Sequence, residues 1–279
     1  MKADAPSLSR GRLFATATGM DALRESLRRD PPRRILIVTR THTGDAVMST
    51  GAVEAIVRRF SGAEIVLETT RRACGVFDNV PGIHARRCRS ERFEKLASTV
   101  WLRASRPFDL VVLLDDSRRR AKVARWGGAR QVVGVREADG EPWLSASVRW
   151  DAHGHDLFDS LLGVLALLDA GADIRPRLYI DEAARASADR VLAPLSGARA
   201  AGVFVDAAVE QKRWPLDRFV ELAARLERSG VPTLATAGIG GHRRLEPFRR
   251  AGLRTAEPAE RPLALAALFE RLQLLVTND

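Results

Sequence analysis

Short apolar runs alternate with helical periodicities along most of the chain. The first run, Ile35 to Val38, is rich in β-branched residues and predicts a buried strand. Apolar residues then recur at the i, i+3, i+4, i+7 spacing of one helix face, at Val53, Ile56, Val57 and Phe60. The alternation of strand and helix is typical of an α/β protein with parallel sheets. Further strands are predicted at Glu64–Leu67, Leu110–Leu114, Val132–Val135, Val203–Val205, Thr233–Thr236 and Leu274–Val276.

The alternation restarts near the middle of the chain. Leu157 to Leu168 predicts a mostly apolar helix, and a new helical pattern begins at Asp181, so we place a domain boundary near Pro176. The clearest helix of the second half follows Pro215 and ends before Gly230, with one apolar stripe formed by Phe219, Leu222, Ala223 and Leu226. The sequence therefore predicts two α/β units with a cleft between them.

Charge indicates an anionic partner without identifying it. The chain has 45 Lys and Arg against 35 Asp and Glu, a formal charge of +10. Nucleic acid, an anionic membrane surface and a phosphorylated small molecule all fit, as does a merely solvated basic surface. Aromatic residues are only 6% of the chain, and no stacking platform or recognition-helix motif is evident. Nucleic-acid binding is therefore supported by nothing in the sequence except its charge.

The N-terminal region and the cysteines indicate a cytoplasmic protein. Residues 1–32 are predicted to be a basic leader, most simply a frayed surface extension. No apolar run approaches the roughly 20 residues that cross a bilayer, and the first 30 residues have no signal-peptide core. Cys74 and Cys88 have neither metal-ligand spacing nor a disulfide-rich context, so we expect two small apolar fillers in a reducing compartment.

The loop after the first strand carries one candidate for catalysis. It reads Arg40-Thr41-His42-Thr43-Gly44-Asp45, and Gly44 would allow a tight turn or the close approach of a ligand. Asp45 is expected at the start of the following helix, where an aspartate is a favoured N-cap. The same carboxylate could instead take a proton from an acceptor hydroxyl. The residues alone leave both interpretations open.

Two loops of the second half are candidates for binding a phosphate. Lys212 and Arg213 precede a helix N-terminus, which favours an anion, although they would also suit an exposed loop. The turn from Gly238 to Gly241 follows a predicted strand and could admit a nucleotide close to its backbone. The chain closes with Thr277-Asn278-Asp279, directly after the last predicted strand, where proteins of this class place ligand-binding groups.

The ordered set of motifs resembles glycosyltransferase family 9, the lipopolysaccharide heptosyltransferases. It comprises Arg-x-x-x-Gly-Asp after the first strand, Arg119, Val133-Gly134-Val135-Arg136, His155, Lys212-Arg213-Trp214-Pro215 and Thr277-Asn278-Asp279. The resemblance implies a GT-B fold, with a leader over 1–32 and two Rossmann-like domains over 33–175 and 176–279. The first domain would hold an acceptor, and the second would hold a nucleotide-sugar. The second domain lacks the Ser-Gly-Pro-x-His loop of the family and is therefore expected to be incomplete.

The resemblance also implies roles for individual residues. Asp45 would be the general base of an inverting transfer that needs neither metal nor cofactor. The acceptor, an anionic glycolipid at the cytoplasmic face of the inner membrane, would be held by Arg40, Thr43, Gly44 and Arg119. The co-substrate, a nucleotide-sugar such as ADP-heptose, would be held by Lys212, Arg213, Gly238, Gly240, Asn278 and Asp279.

Two departures from the family pattern keep an alternative open. Asp206 lies where the family commonly has a His-Pro-Gly or Thr-rich turn, and its charge has the wrong sign for a phosphate. Asp115-Asp116 replaces a pair that is more often small or neutral, and we interpret it as a departure and not as a metal site. The alternative function is a non-catalytic or truncated scaffold that keeps the glycosyltransferase fold and binds a ligand.

Overall fold

The chain forms two compact units, which divide between Leu178 and Tyr179. The computed structural model describes residues 17–89, 100–102, 104–136, 142–149, 157–195, 200–207, 210–238, 240–259 and 261–278. No helix within these ranges combines the length and the apolar character needed to cross a membrane.

A seven-stranded sheet forms the centre of the first unit, in the order β1-β7-β6-β5-β2-β3-β4. Only β1 runs antiparallel to its neighbour, and the other pairs are parallel. The central strands are buried along nearly their whole length, as expected for a parallel sheet covered on both faces. The strands are β1 (Ala17–Thr18), β2 (Arg34–Val38), β3 (Glu64–Thr70), β4 (Ala85–Arg89), β5 (Leu110–Leu113), β6 (Gln131–Arg136) and β7 (Ala146–Arg149).

Among the helices of this unit that the structure describes from end to end, two match the predicted apolar patterns. Helix α4 has the predicted bounds, Leu157–Leu168, and packs against α2, which carries the predicted apolar stripe. The shorter helix α3 was not predicted, because three of its nine residues are consecutive arginines at its start. The helices are α1 (Met20–Arg29), α2 (Thr43–Arg59), α3 (Arg118–Trp126) and α4 (Leu157–Leu168).

The prediction of a frayed leader is wrong for residues 17–30. Helix α1 buries Leu23 and Leu27 and packs on α4, where the Arg24 guanidinium donates to the carbonyl oxygen of Ala166. Strand β1 pairs with β7 and extends the sheet. The segment was mistaken for an extension because its apolar stripe is only two leucines wide, set among charged residues.

The last extended segment of the first unit lies across α2. The backbone N–H of Arg177 donates to the Thr50 hydroxyl at 2.9 Å, and its guanidinium donates to the buried carboxylate of Glu54, also at 2.9 Å. Between them, Gly51 lies so close to the segment that an added Cβ would be 2.4 Å from the carbonyl carbon of Ile174. The glycine is therefore required by the crossing itself.

An ion-pair network reinforces the same segment. Hydrogen bonds from Arg175 and, less strongly, Arg177 hold the pKa of the Asp173 carboxyl well below its ordinary value of 3.8. Because a depressed folded-state pKa stabilises the fold above the ordinary value, this contribution is present at neutral pH. It is lost as the pH falls from about 4 towards the folded-state pKa.

The two cysteines form a disulfide, which overturns the prediction of apolar fillers. Cys74 lies in a 3₁₀ turn, Cys74–Phe77, after β3, and Cys88 lies in β4, with 5.7 Å between their Cα atoms. No local pattern indicates this proximity, because β4 is arginine-rich and was not predicted as a strand. Once β4 pairs with β3, the turn and the strand are neighbours.

The second unit has a three-stranded parallel sheet in the order β10-β8-β9. Residue Asp181 caps α5 by accepting the N–H of Ala184 at 2.7 Å, and α5 packs against α8. The elements of the second unit are α5 (Glu182–Leu192), β8 (Ala201–Phe204), α6 (Leu216–Arg228), β9 (Thr233–Thr236), α7 (His242–Arg250), α8 (Pro262–Arg271) and β10 (Leu274–Thr277). The core below α6 and α7 includes Phe219, Ala223, Leu245 and Phe248. All three predicted strands are confirmed, and α8 was missed.

Candidate functional site

Asp45 lies in the first turn of the helix that follows β2. The helix begins at Thr43, so His42 is its N-cap residue and Asp45 is its third residue. The N-cap interpretation of Asp45 is therefore wrong, although its charge still complements the helix dipole there. Within the described part of the chain, the half-buried carboxylate makes neither a hydrogen bond nor an ion pair. It is available to accept a proton from a bound hydroxyl.

The backbone next to Asp45 is open to a ligand. Gly44 is helical and not a tight turn, and a Cβ added there would meet no atom of the described residues within 4 Å. Thr43 is exposed, and its hydroxyl oxygen lies 3.5 Å from the carbonyl oxygen of Arg72. Packing within the described residues does not require a glycine here, and the missing side chain leaves the backbone accessible to a ligand.

Gly44→Ala tests whether a ligand contacts the backbone at this position. We expect the variant to be as stable as the natural chain, or more stable by up to about 1 kcal/mol, because alanine is the better helix former. If a ligand contacts the backbone at Gly44, the added methyl group should raise the KM for that ligand at least about tenfold. Thermal denaturation and steady-state kinetics separate the two effects. An unchanged KM for every substrate would remove Gly44 from the binding site.

Arg40 and Arg119 lie at the same edge of the first sheet. Arg40 follows β2, and Arg119 is the second residue of α3, which follows the neighbouring parallel strand β5. Arg119 is exposed and lines a cavity of about 30 Å³ beside Glu68. That volume holds about two water molecules and is too small for a sugar. A ligand at this edge would therefore contact Arg119 from outside the cavity.

Two buried carboxylates, which sequence reasoning did not place in the site, support this edge. Glu68, near the end of β3, pairs with Arg87 of β4, and Asp115, just after β5, pairs with Arg120 of α3. The Arg120 guanidinium also donates to the carbonyl oxygen of Thr39 at 3.3 Å. Asp115, noted above as a departure, thus links the loop that carries Arg40 to the helix that carries Arg119. A carboxylate within an apolar strand was the available signal for Glu68.

In the second unit, Lys212 ends a short 3₁₀ turn, Glu210–Lys212, ahead of α6. Its ammonium group is exposed and makes neither a hydrogen bond nor an ion pair with the described residues. The neighbouring Arg213, also exposed, donates from Nε to the carbonyl oxygen of Ala207 at 3.1 Å. Both charges are therefore exposed to an anion, and Lys212 is the residue of this pair whose side chain is not held by the described residues.

Asn278 holds the Lys212 loop in place. Its side-chain oxygen accepts the backbone N–H of Trp214 at 2.7 Å, and β10, which it follows, is the neighbour of β8. The Trp214 ring packs edge-on against Phe219, with 4.8 Å between ring centroids. Asn278 was predicted to bind a donor, and the structure gives it a contact that positions the Lys212 loop.

The Gly238–Gly241 turn is joined to the end of β8 by Asp206. The carboxylate of Asp206 accepts the N–H of Gly238 at 2.7 Å and pairs with Arg244 of α7 at 3.0 Å. Gly240 is exposed with φ of +81°, in the left-handed region that favours glycine. The N–H of Gly238, predicted to face a donor, is therefore already engaged by a side chain.

Comparison with solved structures identifies the fold. No family model and no curated protein matches the sequence. A family 9 glycosyltransferase from Veillonella parvula superposes with a TM-score of 0.75 at 22% identity, over 88% of this chain and 75% of that one. The E. coli ADP-heptose lipopolysaccharide heptosyltransferase II matches with a TM-score of 0.68 at 19% identity, over 88% and 79% of the two chains. E. coli heptosyltransferase WaaC with ADP gives a TM-score of 0.67 at 15% identity, over 88% and 81%.

The chain has the fold of the family 9 glycosyltransferases. The GT-B class predicted from the ordered motifs is thereby confirmed, with its α/β architecture. On the family 9 fold, the predicted residues fall into two sets, one after the strands of each unit. Asp45, Gly44, Arg40 and Arg119 follow β2 and β5, whereas Lys212, Gly238 and Asn278 follow β8, β9 and β10. His155 and Asp279 lie outside the described residues.

Proposed function

We propose that this chain is a glycosyltransferase that transfers a sugar from a nucleotide-sugar to a hydroxyl of an anionic glycolipid. The observation that carries the proposal is the Asp45 carboxylate, half-buried, without a partner among the described residues and beside the open backbone of Gly44. That arrangement suits a general base for a bound hydroxyl. The family 9 fold supports the reaction class.

The proposed mechanism is an inverting displacement. Asp45 accepts the proton of the acceptor hydroxyl as its oxygen attacks the anomeric carbon, and the bond to the diphosphate breaks on the opposite face of the sugar. Negative charge builds on the leaving diphosphate, where the ammonium group of Lys212 stabilises it. The Asn278–Trp214 hydrogen bond keeps Lys212 in place before charge develops. With a fixed cation at the diphosphate, the mechanism requires neither a metal nor a cofactor.

The fold and the charge support a choice of substrates. Two of the matched structures are named for ADP-heptose or ADP, which favours an ADP-activated heptose as the donor, bound by the second unit. Arg40 and Arg119 suit a phosphorylated acceptor of the lipopolysaccharide-core type, bound by the first. The overall charge of +10 suits peripheral contact with the anionic cytoplasmic face of the inner membrane.

A second candidate function is a non-catalytic scaffold that keeps this fold. The contact between Asp206 and the Gly238 N–H favours it, because a carboxylate occupies a turn that would otherwise be open to a phosphate. A nucleotide-sugar that binds but is not transferred would support this candidate.

Donor binding can be tested at Lys212. In calorimetric titrations with ADP-, GDP- and UDP-sugars, we expect one nucleotide to bind saturably and Lys212→Ala to weaken its affinity roughly ten- to hundredfold. That range corresponds to one charge-assisted hydrogen bond. Arg228→Ala is the charge-matched control, because Arg228 is exposed at the opposite end of α6. Equal affinities of the two variants would show Lys212 to be an ordinary surface charge.

A further inference from the structure

Asp206 occupies a position in the second unit that would suit a bound anion. It follows β8 by two residues, and the neighbouring parallel strand β9 places Gly238 beside it. One carboxylate oxygen, Oδ2, accepts the Gly238 N–H at 2.7 Å, and the other, Oδ1, lies 3.0 Å from Nε of Arg244. A backbone N–H and a guanidinium at the start of a helix are the groups that bind phosphate oxygens in proteins.

The turn is fitted to this internal carboxylate. A Cβ added at Gly241 would lie 2.5 Å from the Cβ of Ala237 and 2.7 Å from Oδ2 of Asp206, so the carboxylate fills part of the space that a side chain there would need. Arg244 also donates to the carbonyl oxygen of Val205 at 3.2 Å, which fixes the guanidinium at the end of β8. Both charged side chains are 22% exposed, so an incoming ligand would meet them directly.

We propose that Asp206 is a specificity-determining residue that excludes phosphate from the Gly238–Gly241 turn. Its carboxylate takes the N–H and the guanidinium that a phosphate would use, and its charge repels a second anion at contact distance. A diphosphate in this unit is therefore confined to the Lys212 loop. This conclusion rests on the proposed function in one respect, because it assumes that the diphosphate belongs to the donor.

The exclusion has a direct consequence for a substituted chain. Replacing Asp206 by serine removes the resident negative charge and leaves the Gly238 N–H and Arg244 available to a phosphate. Replacing it by asparagine removes the charge and keeps an oxygen that can accept the Gly238 N–H, so the turn keeps its shape. Serine should therefore increase anion affinity more than asparagine does.

The experiment titrates inorganic pyrophosphate into the full chain by isothermal titration calorimetry. We expect Asp206→Ser to bind pyrophosphate about tenfold more tightly than the natural chain, and Asp206→Asn to show a smaller gain. The double variant Asp206→Ser with Arg244→Gln should lose the gain. Asp189→Ser, which removes one exposed negative charge from α5, is the control for net charge and should bind as the natural chain does.

Two results would overturn the proposal. One is unchanged or weaker pyrophosphate binding in both Asp206 variants, with thermal melts showing that at least the asparagine variant is folded. The other is an equal gain in Asp189→Ser. The proposed donor role of Lys212 is tested separately, because the Asp206→Ser gain should persist when Lys212 is also alanine. If Asp206→Ser does not bind pyrophosphate more tightly but Lys212→Ala still weakens nucleotide-sugar binding, only the present inference is wrong.

Discussion

Asp45→Asn is expected to lower turnover about a thousandfold while the affinity for the nucleotide-sugar stays the same. Asparagine keeps the size and position of the side chain in the first turn of α2, but it cannot accept the proton of the acceptor hydroxyl. General-base catalysis typically contributes two to four orders of magnitude, roughly 10²–10⁴-fold. Because the carboxylate has no partner among the described residues, its replacement breaks no contact within that part of the chain.

Single-turnover kinetics with saturating donor and acceptor would measure this loss, and calorimetry would measure donor affinity. Asp21→Asn is the matched control, since Asp21 is also an acidic residue in the first turn of a helix of the same unit. Both variants lose a small favourable interaction with the helix dipole, and only Asp45→Asn should lose turnover. Turnover that survives in Asp45→Asn would remove this residue from the role of base.

Gly51→Ala is expected to destabilise the first unit by about 3 kcal/mol or more, the upper end of the range for overpacked sites. The new methyl group would lie 2.4 Å from the carbonyl carbon of Ile174 and 2.5 Å from the carbonyl oxygen of Arg175. Backbone atoms cannot rotate away as a side chain can. Either α2 or the crossing segment must shift, which strains the hydrogen bonds from Arg177 to Thr50 and Glu54.

The melting temperature of the first unit should fall by roughly 6–12 °C, from the usual relation between free energy and melting temperature for a unit of this size. Gly44→Ala, in the same helix but with no described atom near the added methyl group, provides the comparison. Equal melting temperatures for the two variants would show that the crossing segment is not packed on Gly51 in solution.

Much of the fold could be predicted because its central strands are short apolar runs. Helices with a broad apolar stripe, such as α2 and α6, were also recognised. Two of the missed elements, α3 and β4, carry many arginines. Their conformation depends on contacts with neighbouring elements, and local periodicity contains no record of those contacts.

The candidate site was predictable where a residue directly follows a strand. Asp45, Lys212 and Asn278 could be placed in this way, since the end of a strand in an α/β protein locates the loop after it. The partners of those loops could not be placed. The contacts of Asp206 with Gly238 and of Asp115 with Arg120 depend on side-chain directions that only the folded chain defines.

The attachment of α1 affects the order in which the first unit can fold during synthesis. Arg24 contacts Ala166, which is 142 residues later in the chain, and Asp30 pairs with Arg130, 100 residues later. At ordinary rates of translation, α1 waits roughly 7–30 s before the helix it packs on has been made. During that time its two core leucines are surrounded by charged residues, which limits aggregation of the nascent chain. We expect α1 to acquire its contacts with α4 only after most of the first unit has been synthesised.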